Sequence, residues 1–298
     1  MAEYEVTHTT RYTYSEKVSH CHNVGYLAPQ SDAHQECRES GITVSPYPTI
    51  LRQHNDYFGN KFYYFSVEEP HDRLEVVGKT RVITRPGPAL DLDASPAWET
   101  VVHAMRNPTR EDEIRAGEFC LPSPFIPHSE HFAAFAREVF TPQKPVLRAA
   151  LDFAIRIYKE FKYEQKATTI LTPLSEVFEK KKGVCQDFAH LSIAALRSLG
   201  LATQYVSGYI ETFPPQGKEK LRGSDASHAW FAVFVPGIAA DGSGAWVDFD
   251  PTNGKMITEE FIVTARGRDF GDVSPLKGIL FGGGKHVLKV EVDVHRVA

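Results

Sequence analysis

The hydrophobic pattern of this chain changes period at Arg85-Pro86-Gly87-Pro88, and that change constrains the fold more than any other feature. Before it, apolar and polar residues alternate. Tyr4, Val6, His8, Tyr12 and Tyr14 interleave with Glu5, Thr7 and Thr13, the two-residue repeat of a half-buried strand. Further β-rich runs lie at Ile42 to Val44, Lys61 to Val67 and Leu74 to Ile83. Turn chemistry separates them at Pro46-Tyr47-Pro48, Phe58-Gly59-Asn60 and Glu69-Pro70-His71-Asp72. Short strands so spaced predict an antiparallel β-sandwich over residues 1–88. The Pro-Gly-Pro cluster neither continues a strand nor opens a helix cleanly, so it marks a boundary.

Beyond it the pattern becomes helical. Residues 89–145 read as a helical connecting segment, with a helix between Glu130 and Phe140 presenting Phe132, Phe135 and Val139. From 146 onward, Val146, Ala150, Phe153, Ile157 and Phe161 recur at three- and four-residue steps, one amphipathic stripe. A second helix is expected from Cys185 through Phe188, Leu191, Ala195 and Leu199, with Gly200 as its left-handed cap. Strand-like segments follow at Ala202 to Ile210, Ala229 to Val235, Ala245 to Asp250, Phe261 to Thr264 and Val287 to Val294. Helices first and antiparallel-looking strands afterwards predict an α+β domain over 146–298.

Composition narrows the function classes. Thirty-three Lys and Arg against 38 Asp and Glu give a net charge of −5, which argues against nucleic acid or an anionic membrane as the main partner. The amino terminus has no basic region followed by an apolar one, and the apolar run from Trp230 to Val235 is far short of the ~20 residues of a membrane span. The expectation is a soluble cytoplasmic protein. Four cysteines (Cys21, Cys37, Cys120 and Cys185) are too few for a disulfide scaffold and fit a reducing compartment.

One cysteine is placed differently from the others. Gly183 allows a sharp entry into the predicted helix, so Cys185 would lie where unpaired N–H groups and the positive end of the helix dipole stabilise a thiolate. The plainer alternative is a small buried hydrophobe. A reactive thiolate needs a base and the base needs an orienting partner. His228 opens one apolar strand and Asp250 ends the next, and the Gly-rich turn from Pro236 to Gly244 would set the two strands side by side. Taken alone, His228 reads as a satisfied strand-end histidine and Asp250 as an Asx turn before Pro251. The ordered set is harder to explain in that way. Asp248 competes with Asp250, because alternate residues of a strand share a face.

The segments GVCQDFAHL, SHAWFAVFVPG and WVDFDPTNG resemble the three core motifs of the bacterial transglutaminase-like superfamily. The tail ARGRDFGDVSPLKG with GGGKHVLKVEV is similar to that family's carboxyl end, and YEVTHTTRYTY and DYFGN resemble its amino-terminal domain. The resemblance implies a papain-like core with Cys185 as nucleophile, His228 as base and Asp250 as orienting carboxylate, since Asp250 precedes Pro-Thr as in the family motif. It implies a cysteine-dependent acyl-transfer enzyme. Its thioester would pass to water, giving a protease or amidase that cleaves peptide or isopeptide bonds, or to an amine, giving a transglutaminase. An inactive binding module of the same fold is the remaining alternative. The backbone N–H of Cys185 is one oxyanion donor. Eukaryotic transglutaminases add an indole upstream of the cysteine. None stands between Trp98 and Cys185 here, which leaves Tyr163 to offer a phenolic O–H.

The expected partner is a protein or peptide substrate, with no cofactor and no metal. Ser19-His20-Cys21-His22, His34 and Cys37 carry metal-capable groups but neither CxxC nor HExxH spacing. Lys180-Lys181-Lys182 reads as a solvated face, Arg268 and Asp269 as a structural ion pair, and Gly282-Gly283-Gly284 as a turn before the last strand.

Overall fold

The computed structural model describes residues 1–87, 89–212 and 227–297; Pro88, which closes the expected first domain, and Ala298 lie outside them. In chain order the first elements are β1 (Ala2–Ala28), β2 (Gln35–Ser45), β3 (Ile50–Asn55), β4 (Lys61–Val67) and β5 (His71–Thr84). Helices α1 (Trp98–Arg106), α2 (Glu111–Gly117), α3 (Glu130–Arg137) and α4 (Val146–Glu160) follow. Then come β6 (Lys162–Tyr163), α5 (Leu174–Lys180), β7 (Lys182–Gly183), α6 (Cys185–Leu199), β8 (Thr203–Ile210), β9 (Ser227–Val235), β10 (Ala245–Asp250), β11 (Lys255–Met256) and β12 (Phe261–Gly267). The last elements are α7 (Phe270–Val273), β13 (Leu276–Gly282) and β14 (His286–Arg296). The α+β reading holds.

β1 runs on to Ala28, well past the alternation that ends at Tyr14. The polar run Ser15-Glu16-Lys17 interrupts the pattern, but Ser15 N–H donates to Lys285 O (2.8 Å) and Glu16 N–H to Gly283 O (3.2 Å), so backbone pairing carries the strand across it. The first part of β1 pairs antiparallel with β5 and β14, and the second part with β4 and β13. β2 extends the sheet beyond β5, and β3 beyond β4. Side chains from both parts share one core, with Val44, Leu74 and Val76 packing with Phe65 and Val67 around Tyr14, Val18 and Leu27. The antiparallel sheet therefore curls over itself, and the two layers of the expected sandwich are joined through β1.

The chain's end returns to this sheet. β13 and β14 follow all the other strands in sequence yet pair with β1, so the division at 88 and 145 does not capture where they lie. The alternation Val290-Val292-Val294 announces a strand; it carries no information about a partner almost 300 residues away. Gly282 to Gly284 do form the turn between these two strands.

The second sheet is antiparallel in the order β11-β10-β9-β8-β12. Ala229, Phe231 and Val233 face α6, whose Phe188, Leu191, Ala195 and Leu196 are buried against them. The stripe Val146, Ala150, Phe153 and Ile157 on α4 is fully buried in the same core. Gly200 caps α6 in the left-handed region at φ +95°. The opposite face of the sheet carries Val206, Trp230 and Phe261. The two sheets join where Ala2, Tyr4, Val6, Val82, Val292 and Val294 pack on Tyr209 and Ile262. No helix of the described residues is long and apolar enough to cross a membrane.

Two buried histidines make this packing sensitive to acid. His8 shares hydrogen bonds with the hydroxyls of Tyr209 (3.0 Å) and Thr10 (3.1 Å), and burial lowers its pKa from 6.5 to about 4. His190 accepts from the Phe270 N–H (3.1 Å). Burial lowers it to about 4 as well, with Asp269 opposing and Arg197 adding to the shift. The unfolded chain takes up these protons near pH 6.5 and the folded protein resists until about 4. Stability is therefore whole above the first value and is lost as pH falls through that window, by roughly 3 kcal/mol per group at most. The expected result is a melting temperature that drops between pH 6.5 and 4, and less steeply in His190→Gln. An unchanged slope in that variant would exclude His190 as a cause.

Candidate active site

The site begins with the way α6 starts. β6 and β7 form a short parallel pair in which Tyr163 lies opposite Gly183, two residues before Cys185. Val184 has no side-chain oxygen with which to cap the helix. Asp187 does the capping instead, its Oδ2 accepting from the Val184 N–H (2.8 Å) and from the Thr168 hydroxyl (2.6 Å). That cap explains Gly183, where a Cβ would lie 2.7 Å from Asp187 Oδ2. Cys185 thus occupies the first turn of a 15-residue helix, at the positive end of its dipole, and is partly exposed.

β9 and β10 bring the other two candidates to it. They pair antiparallel, with Phe249 opposite Phe231 and Val247 opposite Val233, so His228 and Asp250 meet at one end of the ladder. His228 Nε2 donates to Asp250 Oδ2 at 2.8 Å, and Cys185 lies close enough to the same imidazole to help raise its pKa. Burial alone would lower the His228 pKa. The bonds and charges of Asp250 and Cys185 outweigh it and raise the group to about 10. Its contribution to stability is therefore whole below pH 6.5 and is lost as pH rises through about 10. The structure brings together Cys185, His228 and Asp250 as expected from the sequence.

Asp250 is fully buried, and four donors converge on it. Oδ1 accepts from the backbone N–H of Thr252 (2.8 Å) and Asn253 (3.3 Å), and Oδ2 accepts from His228 and from Asn253 Nδ2 (2.6 Å). Burial pushes its carboxyl up, but these donors hold it below the usual carboxylate range. The Asx turn and the imidazole contact are both present. Asp248, the rival, is engaged elsewhere. It accepts from Trp230 Nε1 (2.9 Å) and takes both Nη atoms of Arg266 (2.8 and 3.1 Å).

Asn253, Asp187 and Thr168 do not stand out by residue type or spacing. Asn253 belongs to the segment WVDFDPTNG, and a helix-start carboxylate two residues after Cys185 is itself a capping signal. Tyr163 feels the charge of the thiol: burial first and the Cys185 charge second raise its pKa, so its hydroxyl stays protonated. Tyr205, packed on His190 and Phe270, has its pKa raised by burial first and by the same charge second. The three lysines pair on the surface with Glu176, Glu160 and Glu164. Arg268 pairs with Asp272 rather than Asp269, because Asp269 caps α7 through the Gly271 N–H and accepts from the Phe125 N–H. His20 stacks on Phe281 and His22 bonds Tyr64, and no group of three or more metal-ligating side chains forms among the described residues.

Comparison with known proteins adds a lineage to this geometry. Residues 4–83 match the family model described as the bacterial transglutaminase-like N-terminal region, and residues 133–251 match that of the transglutaminase-like superfamily. An uncharacterized protein of Mycobacterium tuberculosis is 38% identical over 295 residues, which is 98% of this chain and 92% of that protein. Another, from Mycobacterium leprae, is 31% identical over 297 residues, 98% of each. The crystal structure of a Cytophaga hutchinsonii protein, provisionally described as a cysteine protease, superposes with a TM-score of 0.76 at 19% identity, covering 100% of this chain and 91% of that one. That likeness is one of fold.

Proposed function

The chain belongs to the transglutaminase-like superfamily, and from that premise we propose that it is a cysteine-dependent acyl-transfer enzyme cleaving peptide or isopeptide amide bonds. The observation that carries the proposal is the line from the partly exposed Cys185 to the buried His228 and Asp250, with its sulfur at the start of α6. Cys185 as thiolate attacks the amide carbonyl carbon. The developing oxyanion lies within reach of the Cys185 backbone N–H at the start of α6. The His228 imidazolium gives its proton to the leaving nitrogen, the C–N bond breaks, and a thioester remains. Neutral His228 then takes a proton from water, the hydroxide adds to the thioester, and the thiolate leaves with the acid as product. Asp250 keeps Nε2 protonated and the other ring nitrogen turned to the sulfur. A free thiol of this kind needs a reducing compartment, which favours the cytoplasm.

The test measures where the acyl group goes. Casein and a peptide library are incubated with the protein and a labelled primary amine, with Cys185→Ala as control. The expected result is peptide release that Cys185→Ala lacks, with little label incorporated. Label incorporation exceeding hydrolysis would make the protein a transferase. Neither product depending on Cys185 would make it a binding module of this fold.

A further inference from the structure

β12 is an edge strand of the second sheet, pairing with β8 alone, and its free edge is taken up by two side chains of the amino-terminal sheet. Gln35 Nε2 donates to Val263 O (2.8 Å) while the Val263 N–H donates to Gln35 Oε1 (2.8 Å). Asn60 Nδ2 donates to Arg266 O (2.7 Å) while the Arg266 N–H donates to Asn60 Oδ1 (2.8 Å). Each amide reproduces the donor and acceptor of a neighbouring strand. The two points are three residues apart, and the register irregularity between Val263 and Ala265 turns both backbones outward. Both amides are 2% exposed. Asn60 is itself held by Asp56, which accepts from its N–H (2.8 Å) and from Nδ2 (2.9 Å), within the segment DYFGN.

What the clip holds leads to the candidate active site. Arg266 grips Asp248 with both Nη atoms, Asp248 accepts from Trp230 Nε1, and the fully buried Trp230 ring packs on His228 at 5.9 Å between centroids. Phe261, at the start of the same β12, completes this wall, 6.1 Å from His228 and 5.3 Å from Trp230. The His228 ring is thus fixed by Asp250 at Nε2 and by a wall whose anchor is β12.

We propose that the amino-terminal sheet positions the catalytic histidine, with Asn60 and Arg266 as positioning residues acting through Asp248 and Trp230. The inference rests on the enzymatic reading above. It gives the amino-terminal sheet a defined task, because the strand it clips is the strand that holds the wall of the active site. Displacing a reacting group by an ångström is enough to slow catalysis about a hundredfold.

The experiment uses the full chain and the substrate found by peptide release. Asn60→Ala, Arg266→Met and Arg266→Lys are compared with Thr84→Val, which removes a different contact between the sheets, the Thr84 hydroxyl on Glu259 O (2.6 Å). The expected result is a kcat about ten- to hundredfold lower in Asn60→Ala and Arg266→Met with KM within about twofold. Arg266→Lys should recover part of kcat, since it keeps the charge on Asp248. Thr84→Val should lower the melting temperature and leave kcat unchanged. Equal kcat losses in Thr84→Val and Asn60→Ala would overturn the inference, as would an unchanged kcat in Arg266→Met, which stands in should Asn60→Ala not fold. Wild-type protein lacking any Cys185-dependent product would instead sink the enzymatic reading.

Discussion

Asp250→Asn is expected to lower turnover by about 10³- to 10⁴-fold while leaving the protein folded. All four hydrogen bonds at this carboxylate are accepted by it, two at each oxygen. An amide offers one oxygen and one NH2. If the NH2 takes the Oδ2 position it confronts His228 Nε2–H and Asn253 Nδ2, donor against donor. If it takes the Oδ1 position it confronts the N–H groups of Thr252 and Asn253. The imidazole can relieve the first clash only by moving its proton to the nitrogen that must serve Cys185, which is the wrong tautomer for a base. The folded state pays for the misfit with about 1–3 kcal/mol, so melting curves and rates together separate misfolding from a misplaced proton. A loss below about tenfold with an unchanged melting temperature would count against the orienting role.

His228→Ala is expected to have an effect at least as large, about 10⁴-fold on turnover, and a second effect visible without any substrate. His228 is the partner that favours a charged sulfur and is itself held protonated, its pKa raised to about 10 by Asp250 and Cys185 against the effect of burial. Removing it leaves the helix start as the remaining support for the thiolate. Alkylation of Cys185 by iodoacetamide at pH 7 should then slow by about tenfold or more, while the other three cysteines react as before. Equal labelling of wild type and variant would separate His228 from the thiol.

The parts of this arrangement that were legible in the sequence are local. The stripe on α4 and the apolar face of α6 follow from helical spacing, and Gly183 with Cys185 announces a helix start within three residues. His228 and Asp250 could be paired because a single turn joins their strands, making the contact a short-range one. Asp248 and Asp250 could not be separated by alternation, which gives them the same face. What separates them is Arg266, supplied by a strand that is not their neighbour in the sheet. The same limit hid the return of β14 to β1 and the grip of Gln35 and Asn60 on β12. A side-chain amide closing a strand edge more than 200 residues away leaves no periodicity to read. Its only trace is a pair of buried amides, and burial is set by the whole fold.

The central claim, that Cys185 is an activated nucleophile, is tested most directly by a labelling race among the four thiols of the native protein. Burial raises the pKa of Cys21, Cys37 and Cys120, the last to about 11, so each holds little thiolate at neutral pH. Substoichiometric iodoacetamide at pH 7, followed by peptide mass mapping, should place the first label on Cys185, at least about tenfold ahead of Cys37 and Cys120, which are also partly exposed. Labelling of Cys185 no faster than those two would contradict the account.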